Sequence, residues 1–290
     1  MIDVNFTLVS GTYVDEQDLL GELDYFLTMT IHGWTKVKTI TDTPTDRNIA
    51  YYTDGSITGI YDRMWVRARA VSNQLQFTVM SEFVSSTDTD IDPFGGTQSS
   101  TELPVGTTSG TYWFMANKDA VHIVVDRDDG ATRHGGFGHF VTYYNRFEDP
   151  KPFYVFGQTA ASQTFVSATR LRAYAPHSWG TSFDVLGSGT ALGYLARHTS
   201  LLANGTPNPR SGEPKIIEPV FYTDSTFMFN EVRGEVPGLF MGGGTGYDHG
   251  NLVSIFNTPG TVSGTYFCHK HTDSLTWFVG PVTVSGEGGC

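Results

Sequence analysis

Hydrophobic residues recur with helical spacing in one segment near the start of the chain. Between Asp15 and Thr30 the apolar positions follow an i, i+3, i+4, i+7 pattern, which is typical of a helix with one buried face. Asp15 is suited to cap the first turn, and Glu16 and Asp18 carry the charge that the helix N-terminus favours. Gly33 follows as a stop signal. The pattern predicts an amphipathic helix from Asp15 to about Thr30.

The pattern then changes from helical to alternating. Segments 63–71 and 74–83 both alternate apolar and polar residues, and Ser72-Asn73 between them is a two-residue turn. This arrangement predicts an antiparallel hairpin. A second hairpin is predicted from 112–115 and 120–125, joined by the turn residues 117–119.

Short runs of β-branched and aromatic residues continue along most of the remaining chain and predict further strands. These strands are predicted at 34–40, 48–53, 140–144, 153–156, 165–173, 216–223, 227–229, 252–256, 266–268 and 275–284. Segment 191–202 has the pattern of one further short helix, and the polar tract 85–110 is typical of a long surface loop or arm.

The sequence therefore predicts a mainly β fold: an antiparallel β-sandwich or barrel-like fold with an N-terminal amphipathic helix and one further short helix. Residues 1–290 fit one compact β-rich domain, and two intimate lobes of about 1–160 and 161–290 fit equally well.

Charge and composition narrow the function classes. The chain has 18 Lys and Arg against 30 Asp and Glu, a net charge of −12, so we expect no nucleic-acid binding. No run of about 18 to 20 apolar residues is present to span a membrane, and no signal peptide is readable at the N-terminus. We expect a protein made in a cytosol.

The two cysteines, Cys268 and Cys290, fit reduced thiols, although Cys290 follows a Gly-rich tail and is a candidate for an intersubunit disulfide.

A metal site and a nucleotide site are two candidate chemistries. Cys268, His269 and His271 are weak candidate metal ligands, because alternate residues of a strand share a face. The further donors are either Asp248 and His249 or His134 and His139. Two ligands leave the rest of a coordination shell unspecified, and we expect no metal and no cofactor. Segment 183–189 joins a strand to a glycine-rich turn before 191–202, but its spacing does not match a dinucleotide fingerprint.

Carboxylates and aromatic residues supply the other candidates. Asp126, Asp128 and Asp129, and the Asp88, Asp90 and Asp92 group, lie in turn-like segments where solvation or calcium is favoured over acid-base catalysis. No nucleophile elbow or phosphate-binding loop occurs, so we expect no catalytic residues and no enzyme. Aromatic residues suit sugar stacking, although core or subunit contact is the simpler interpretation. The weak ligand-binding candidates are Trp113, Tyr143, Tyr144 and Trp179.

Several segments together resemble a family of virion structural proteins from tailed bacteriophages. The segments that carry this resemblance are the helix running into Gly33-Trp34, the stretches 112–117 and 122–125, the strand 140–144, the Pro-aromatic stretch 151–154 and the segment 234–240. The resemblance implies a non-enzymatic virion protein of the neck, collar or tail that forms a homo-oligomeric ring and contacts other virion proteins. In that setting the 85–110 tract and the tail after Val284 would serve as arms. The alternatives are a carbohydrate-binding or decoration module and, with less support, a depolymerase or metalloenzyme.

Overall fold

The computed structural model describes residues 5–29, 32–56, 63–80, 100–128, 130, 132–139, 141–142, 153–157, 171–175, 181–185, 193–196, 217–224, 231–242, 248–255, 263–272 and 275–285. Within these ranges the chain forms three large sheets, one two-stranded ladder and one α-helix. The mainly β, sandwich-like fold is therefore confirmed. The described strands do not close into a barrel. A helix with the length and hydropathy to cross a membrane does not occur in these ranges.

The elements in chain order are β1 (Phe6–Tyr13), α1 (Glu16–Thr28), β2 (Thr35–Thr43), β3 (Asp46–Thr53), β4 (Met64–Val71), β5 (Gln74–Met80), β6 (Ser100–Pro104), β7 (Gly110–Ala116), β8 (Ala120–Arg127), β9 (Thr132–His139), β10 (Val141–Thr142), β11 (Phe153–Phe156), β12 (Leu171–Ala175), β13 (Thr181–Val185), β14 (Gly193–Ala196), β15 (Ile217–Asp224), β16 (Glu231–Gly242), β17 (Leu252–Ile255), β18 (Gly264–Thr272), β19 (Leu275–Val279) and β20 (Val282–Val284).

Three sheets form the framework. Sheet I is the antiparallel meander β2-β3-β4-β5-β6. Sheet II has the order β11-β9-β8-β7-β1-β20, and sheet III has the order β14-β15-β16-β19-β18-β17 with β10 paired to β16. All pairings in sheet II are antiparallel except that β20 runs parallel to β1, with Phe6 opposite Val282. The last described strand therefore returns to the sheet in which the first one lies.

Helix α1 follows the sequence prediction closely. Asp15 is the N-cap, and its Oδ1 accepts hydrogen bonds from the backbone N–H groups of Gln17 and Asp18 at 2.9 and 2.8 Å. The helix buries one apolar face against sheets I and II, because a helix of this length is stabilised mainly by such packing. The buried helix residues are Leu19, Leu20, Leu23, Phe26 and Leu27.

Both predicted hairpins are confirmed. The turn between β4 and β5 has positive φ at Ser72 and Asn73, 55° and 62°, which matches the twist of the two strands. The turn between β7 and β8 is held by Asn117, whose Oδ1 accepts from the N–H groups of Asp119 and Ala120 at 2.9 and 2.8 Å.

Two sequence predictions were wrong where the structure describes them. The predicted loop 85–110 contains the strand β6, which pairs with β5 so that Leu103 lies opposite Leu75, and both side chains are buried. The predicted helix 191–202 contains the strand β14, paired with β15. In both cases hydrogen bonding to a neighbouring strand decides the conformation of a segment whose own pattern is short and weak. The other residues of these two segments, apart from 105–110, lie outside the described ranges.

Sheet II is covered on both faces. One face packs on α1 and sheet I in a continuous apolar core that includes Phe77, Phe114, Ile123 and Phe137. The other face packs on sheet III. The functional candidates lie at this second interface.

Candidate functional site

Strand alternation directs histidines of sheet II towards sheet III. In β8 the side chains of Val121, Ile123 and Val125 join the core on the α1 side, so His122 and Val124 project to the opposite face. In β9, His134 lies opposite Val124 and therefore shares that face. The side chains of His122 and His134 are both fully buried.

Sheet III contributes two more imidazoles. His269 lies in β18 and is fully buried, and His249 precedes β17 and is partly buried. The four rings form a chain of contacts, with centroid separations of 5.5 Å from His122 to His134, 5.5 Å from His134 to His269 and 5.2 Å from His269 to His249. We call these four residues the histidine row.

The hydrogen bonds of the row fix its proton positions. His122 Nε2 lies 2.9 Å from the carbonyl oxygen of Pro237, which can only accept, so Nε2 carries the proton. In neutral His122, Nδ1 is then a bare acceptor, and it faces Nε2 of His134 at 3.4 Å. His134 is therefore the donor in that pair. The Nδ1 atoms of His249 and His269 lie 3.2 Å apart, so one of them donates to the other.

Aromatic rings enclose the row. Phe6 contacts His122 with a centroid separation of 5.4 Å, and the edge of Phe156 meets His134 at 4.9 Å. Gly136, opposite both His122 and Phe156, makes room for this arrangement, since a Cβ there would lie 2.8 Å from the Phe156 ring. Trp113 stands perpendicular to His249 at 4.6 Å.

This enclosure favours the neutral forms of His122 and His249. Burial lowers the pKa of His122 from 6.5 to about 4, although its bond to Pro237 opposes the change. Burial also lowers the pKa of His249, and the nearby Asp126 carboxylate opposes that shift. The described arrangement is that of a neutral hydrogen-bonded contact between two sheets.

The row does not form a metal centre in the described part of the chain. Imidazole pairs 3.2 to 3.4 Å apart have the spacing of two ligands of one ion. However, no group of three or more His, Cys, Asp or Glu side chains converges on a common point among the described residues.

A second polar cluster lies at the end of the β7–β8 hairpin. The N–H of Ser56 donates to Asp119 Oδ1 at 2.8 Å, and the Ser56 hydroxyl donates to Oδ2 of the same carboxylate. His139 and Tyr154 are buried nearby, and the pKa of Tyr154 is raised well above its usual value by burial and by the charge of Asp119. The serine proton points to a carboxylate, whereas a nucleophilic serine donates to an imidazole. The cluster fits a capped turn better than a catalytic triad.

Two of the metal-ligand candidates predicted from the sequence lie on opposite faces of sheet III. Cys268 is buried on the face of sheet III that carries Ile255, Tyr266 and Phe278, and His269 projects to the opposite face. The thiol and this imidazole therefore cannot bind one ion. The side chain of His271 lies outside the described part.

The structure describes one of the four ligand-binding candidates, Trp113. Trp113 packs against His249, Phe267 and Gly250, so it lies inside the sheet II–sheet III interface. Tyr143, Tyr144 and Trp179 lie outside the described ranges, as do Asp88, Asp90, Asp92, Asp129 and the 187–189 turn. Asp128 accepts a hydrogen bond from Ser109 at 2.5 Å in an exposed turn.

Sequence reasoning missed His122 and its partner, the carbonyl of Pro237. The alternation of β8 was a usable signal for His122, because it places this histidine on the face opposite Ile123. The Pro237 carbonyl is a backbone group, so no residue type in the sequence indicates its role. No protein-family model matches the chain, and no curated protein matches it with significant similarity.

Proposed function

We propose that the chain is a non-enzymatic structural subunit of a tailed-bacteriophage virion, in the neck, collar or tail, and that copies of it form a ring through their sheet edges. The observation that carries the assembly part is the character of two edge strands, β17 and β20. Each lies at the end of its sheet among the described strands, and neither contains a charged residue, a proline or a register shift.

These edges differ from the protected edge of sheet I. Strand β2 carries Lys36 and Lys38 and has two register shifts against β3, which are features that discourage pairing with another chain. In contrast, Leu252 of β17 is 45% exposed and Val284 of β20 is 55% exposed. Uncharged edges with exposed aliphatic residues are suited to strand addition by another protein.

A ring requires two different patches that meet head to tail. Strand β20 ends sheet II and β17 ends sheet III, so one molecule offers two distinct edges. We propose that β20 of one copy pairs with β17 of the next, and that the remaining surface contacts other virion proteins.

Segments that carry the phage resemblance contact one another in the fold. The indole N–H of Trp34 donates to the carbonyl of Asn117 at 2.8 Å, and His122 donates to Pro237. These contacts join four of the segments named for the resemblance: the Gly33-Trp34 segment to 112–117, and 122–125 to 234–240.

The test is assembly of the purified chain, followed by light scattering after size exclusion and by electron microscopy. We expect rings at micromolar concentration, and we expect Val284→Lys and Leu252→Lys each to reduce ring formation at least about tenfold, because a buried unpaired lysine opposes strand pairing. Val14→Lys is the matched control, since Val14 is 69% exposed and lies in no strand.

Two results would contradict the proposal. One is a chain that stays monomeric at all concentrations; the other is unchanged assembly of both edge variants. The virion part is tested separately by mass spectrometry of purified particles of a phage that encodes the chain, which should contain it in the copy number of a ring.

A second candidate, a carbohydrate-binding module, is favoured by one surface feature. Tyr52 and Trp65 are partly exposed neighbours on sheet I with ring centroids 5.1 Å apart, and Arg63 lies over Tyr52 at 4.0 Å while it binds Asp54. Aromatic rings beside charged donors and acceptors suit a sugar. Binding to a glycan array that is lost in Trp65→Ala would support this candidate, and the absence of any bound glycan would remove it.

A further inference from the structure

The histidine row joins sheets II and III through four neighbouring imidazoles. Donation from His122 to Pro237 and from His134 to His122 requires a bare Nδ1 on His122. When both rings are protonated, His122 Nδ1 and His134 Nε2 each carry a proton 3.4 Å apart, so two donors oppose each other. The His249–His269 pair has the same constraint, because one of its two Nδ1 atoms must accept.

Among the residues that the structure describes, the titratable and charged groups facing the row are these. Strand β8 contributes Asp126, and Asp248 is an exposed neighbour of His249 in the chain. Strand β11 contributes the phenol of Tyr154, and β16 carries Glu235 two residues before Pro237. The residues that β1, β7 and β19 place at this interface are uncharged, and they include Phe6, Trp113 and Trp277. Within the described ranges, the Asp126 carboxylate lies close enough to His249 to raise its pKa, against the effect of burial.

The core between sheets I and II has fewer histidines that acid can protonate. Its cluster consists of apolar and aromatic side chains. His32 packs on Phe26 at its border, and His139 lies beside the Asp119 carboxylate, as the surroundings of Gly55 indicate. At low pH the sheet II–sheet III interface therefore gains more positive charge than the core between sheets I and II.

We propose that the histidine row is an acid-sensitive clamp: neutral imidazoles hold sheet III on sheet II, and protonation releases sheet III while α1, sheet I and sheet II remain packed. The release exposes the apolar face of sheet II that carries Phe6, Trp113 and Phe156. Repulsion between imidazolium groups about 5 Å apart in a site shielded from water provides the driving force. This device does not depend on the proposed virion function.

Hydrogen exchange tests the clamp. The intact chain is equilibrated between pH 7.5 and 4, then labelled in a short pulse at one fixed pH, so that the intrinsic exchange rate is constant. We expect the amides of β17 and β18 to lose protection at a pH at least one unit higher than the amides of β4 and β5. For each proton taken up on opening, the open population should rise about tenfold per pH unit.

Variants distinguish the clamp from general acid unfolding. The double variant His249→Asn, His269→Asn keeps an amide near each Nδ1 position but cannot take up a proton, and we expect it to lower the opening midpoint of β17 and β18 by about one pH unit. His32→Asn is the control outside the row and should leave that midpoint unchanged.

A second measurement applies if the double variant does not fold. His122→Gln keeps a donor for Pro237, and nuclear magnetic resonance of the wild-type imidazoles follows their titration directly. The clamp is refuted if β4, β5, β17 and β18 lose protection at the same pH, if the non-titrating variants keep the wild-type midpoint, or if the row imidazoles titrate near pH 6.5 while sheet III stays protected.

Discussion

His122 Nε2 donates to the carbonyl oxygen of Pro237 across 2.9 Å, although the two residues are 115 positions apart in the chain. The bond joins β8 of sheet II to β16 of sheet III and lies in a fully buried environment. A buried carbonyl that loses its donor has no water to replace it. Removal of the donor should therefore lower the free energy of unfolding by more than the formation of the bond contributes to it.

Replacement of His122 should therefore depend on whether a donor remains. We expect His122→Leu to lower the free energy of unfolding by about 2 kcal/mol, because the Pro237 carbonyl is left unsatisfied. His122→Gln retains an amide donor at a similar reach and should cost about half as much. Urea denaturation at pH 7.5 measures both values. Equal losses in the two variants would show that the hydrogen bond is not the main contribution of His122.

Stability should fall as the pH drops from about 6.5 to about 4. In the folded state the pKa of His122 is lowered to about 4, whereas its ordinary value is 6.5. Between these values the unfolded chain binds a proton that the folded chain does not, so the stability contributed by neutral His122 is present above pH 6.5 and is lost towards pH 4. The loss from this residue is about 3 kcal/mol. Urea denaturation across this range should show a shallower slope in His122→Gln, and an unchanged slope would contradict the assignment.

Two glycines with positive φ should respond differently to alanine. Gly238 has φ +66° and its missing Cβ would collide with the Phe6 ring, whereas Gly130 has φ +78° and no described atom within 4 Å of a Cβ. We expect Gly130→Ala to cost about 1 kcal/mol of backbone strain. Gly238→Ala should cost at least about 3 kcal/mol, because the clash separates β16 from β1. Thermal denaturation of both variants checks the difference, and equal costs would show that Phe6 moves aside freely.

The N-cap of α1 is tested by substitution of Asp15. Its carboxylate accepts two backbone N–H groups, and Asp15→Ala leaves both without this partner. We expect a loss of about 1 kcal/mol in the free energy of unfolding, while Asp15→Ser, which also caps helices, should lose much less. Because helix packing contributes most of the stability of α1, a loss above about 3 kcal/mol would indicate a role beyond capping.

The buried thiol of Cys268 should be unreactive in the folded chain. Burial raises its pKa above the ordinary value of 9, so little thiolate is present at neutral pH. In a Cys290→Ser background, we expect the remaining thiol to react with a disulfide reagent at pH 8 at least about 100-fold more slowly in the folded protein than in urea. Fast labelling of the folded protein would show that sheet III opens readily at that pH.

The sequence determined the elements whose signals are local. The apolar stripe and the Asp15 cap of α1, the alternation of β4 and β5, and the turn chemistry at Ser72-Asn73 each depend on residues within one turn or one strand of each other. Those features were predicted close to the observed bounds, because local periodicity is set by the geometry of a helix or a strand.

Tertiary structure decided what depends on distant partners. Strand β9 is glycine-rich and was not among the predicted strands, yet it forms a strand because β8 and β11 pair with it on both sides. The edge strand β6 exists because β5 offers it hydrogen bonds. The histidine row likewise assembles from two sheets, and its contact with the Pro237 carbonyl involves a backbone atom that every residue possesses. A backbone acceptor leaves no mark in the sequence, so only the fold could bring it to His122.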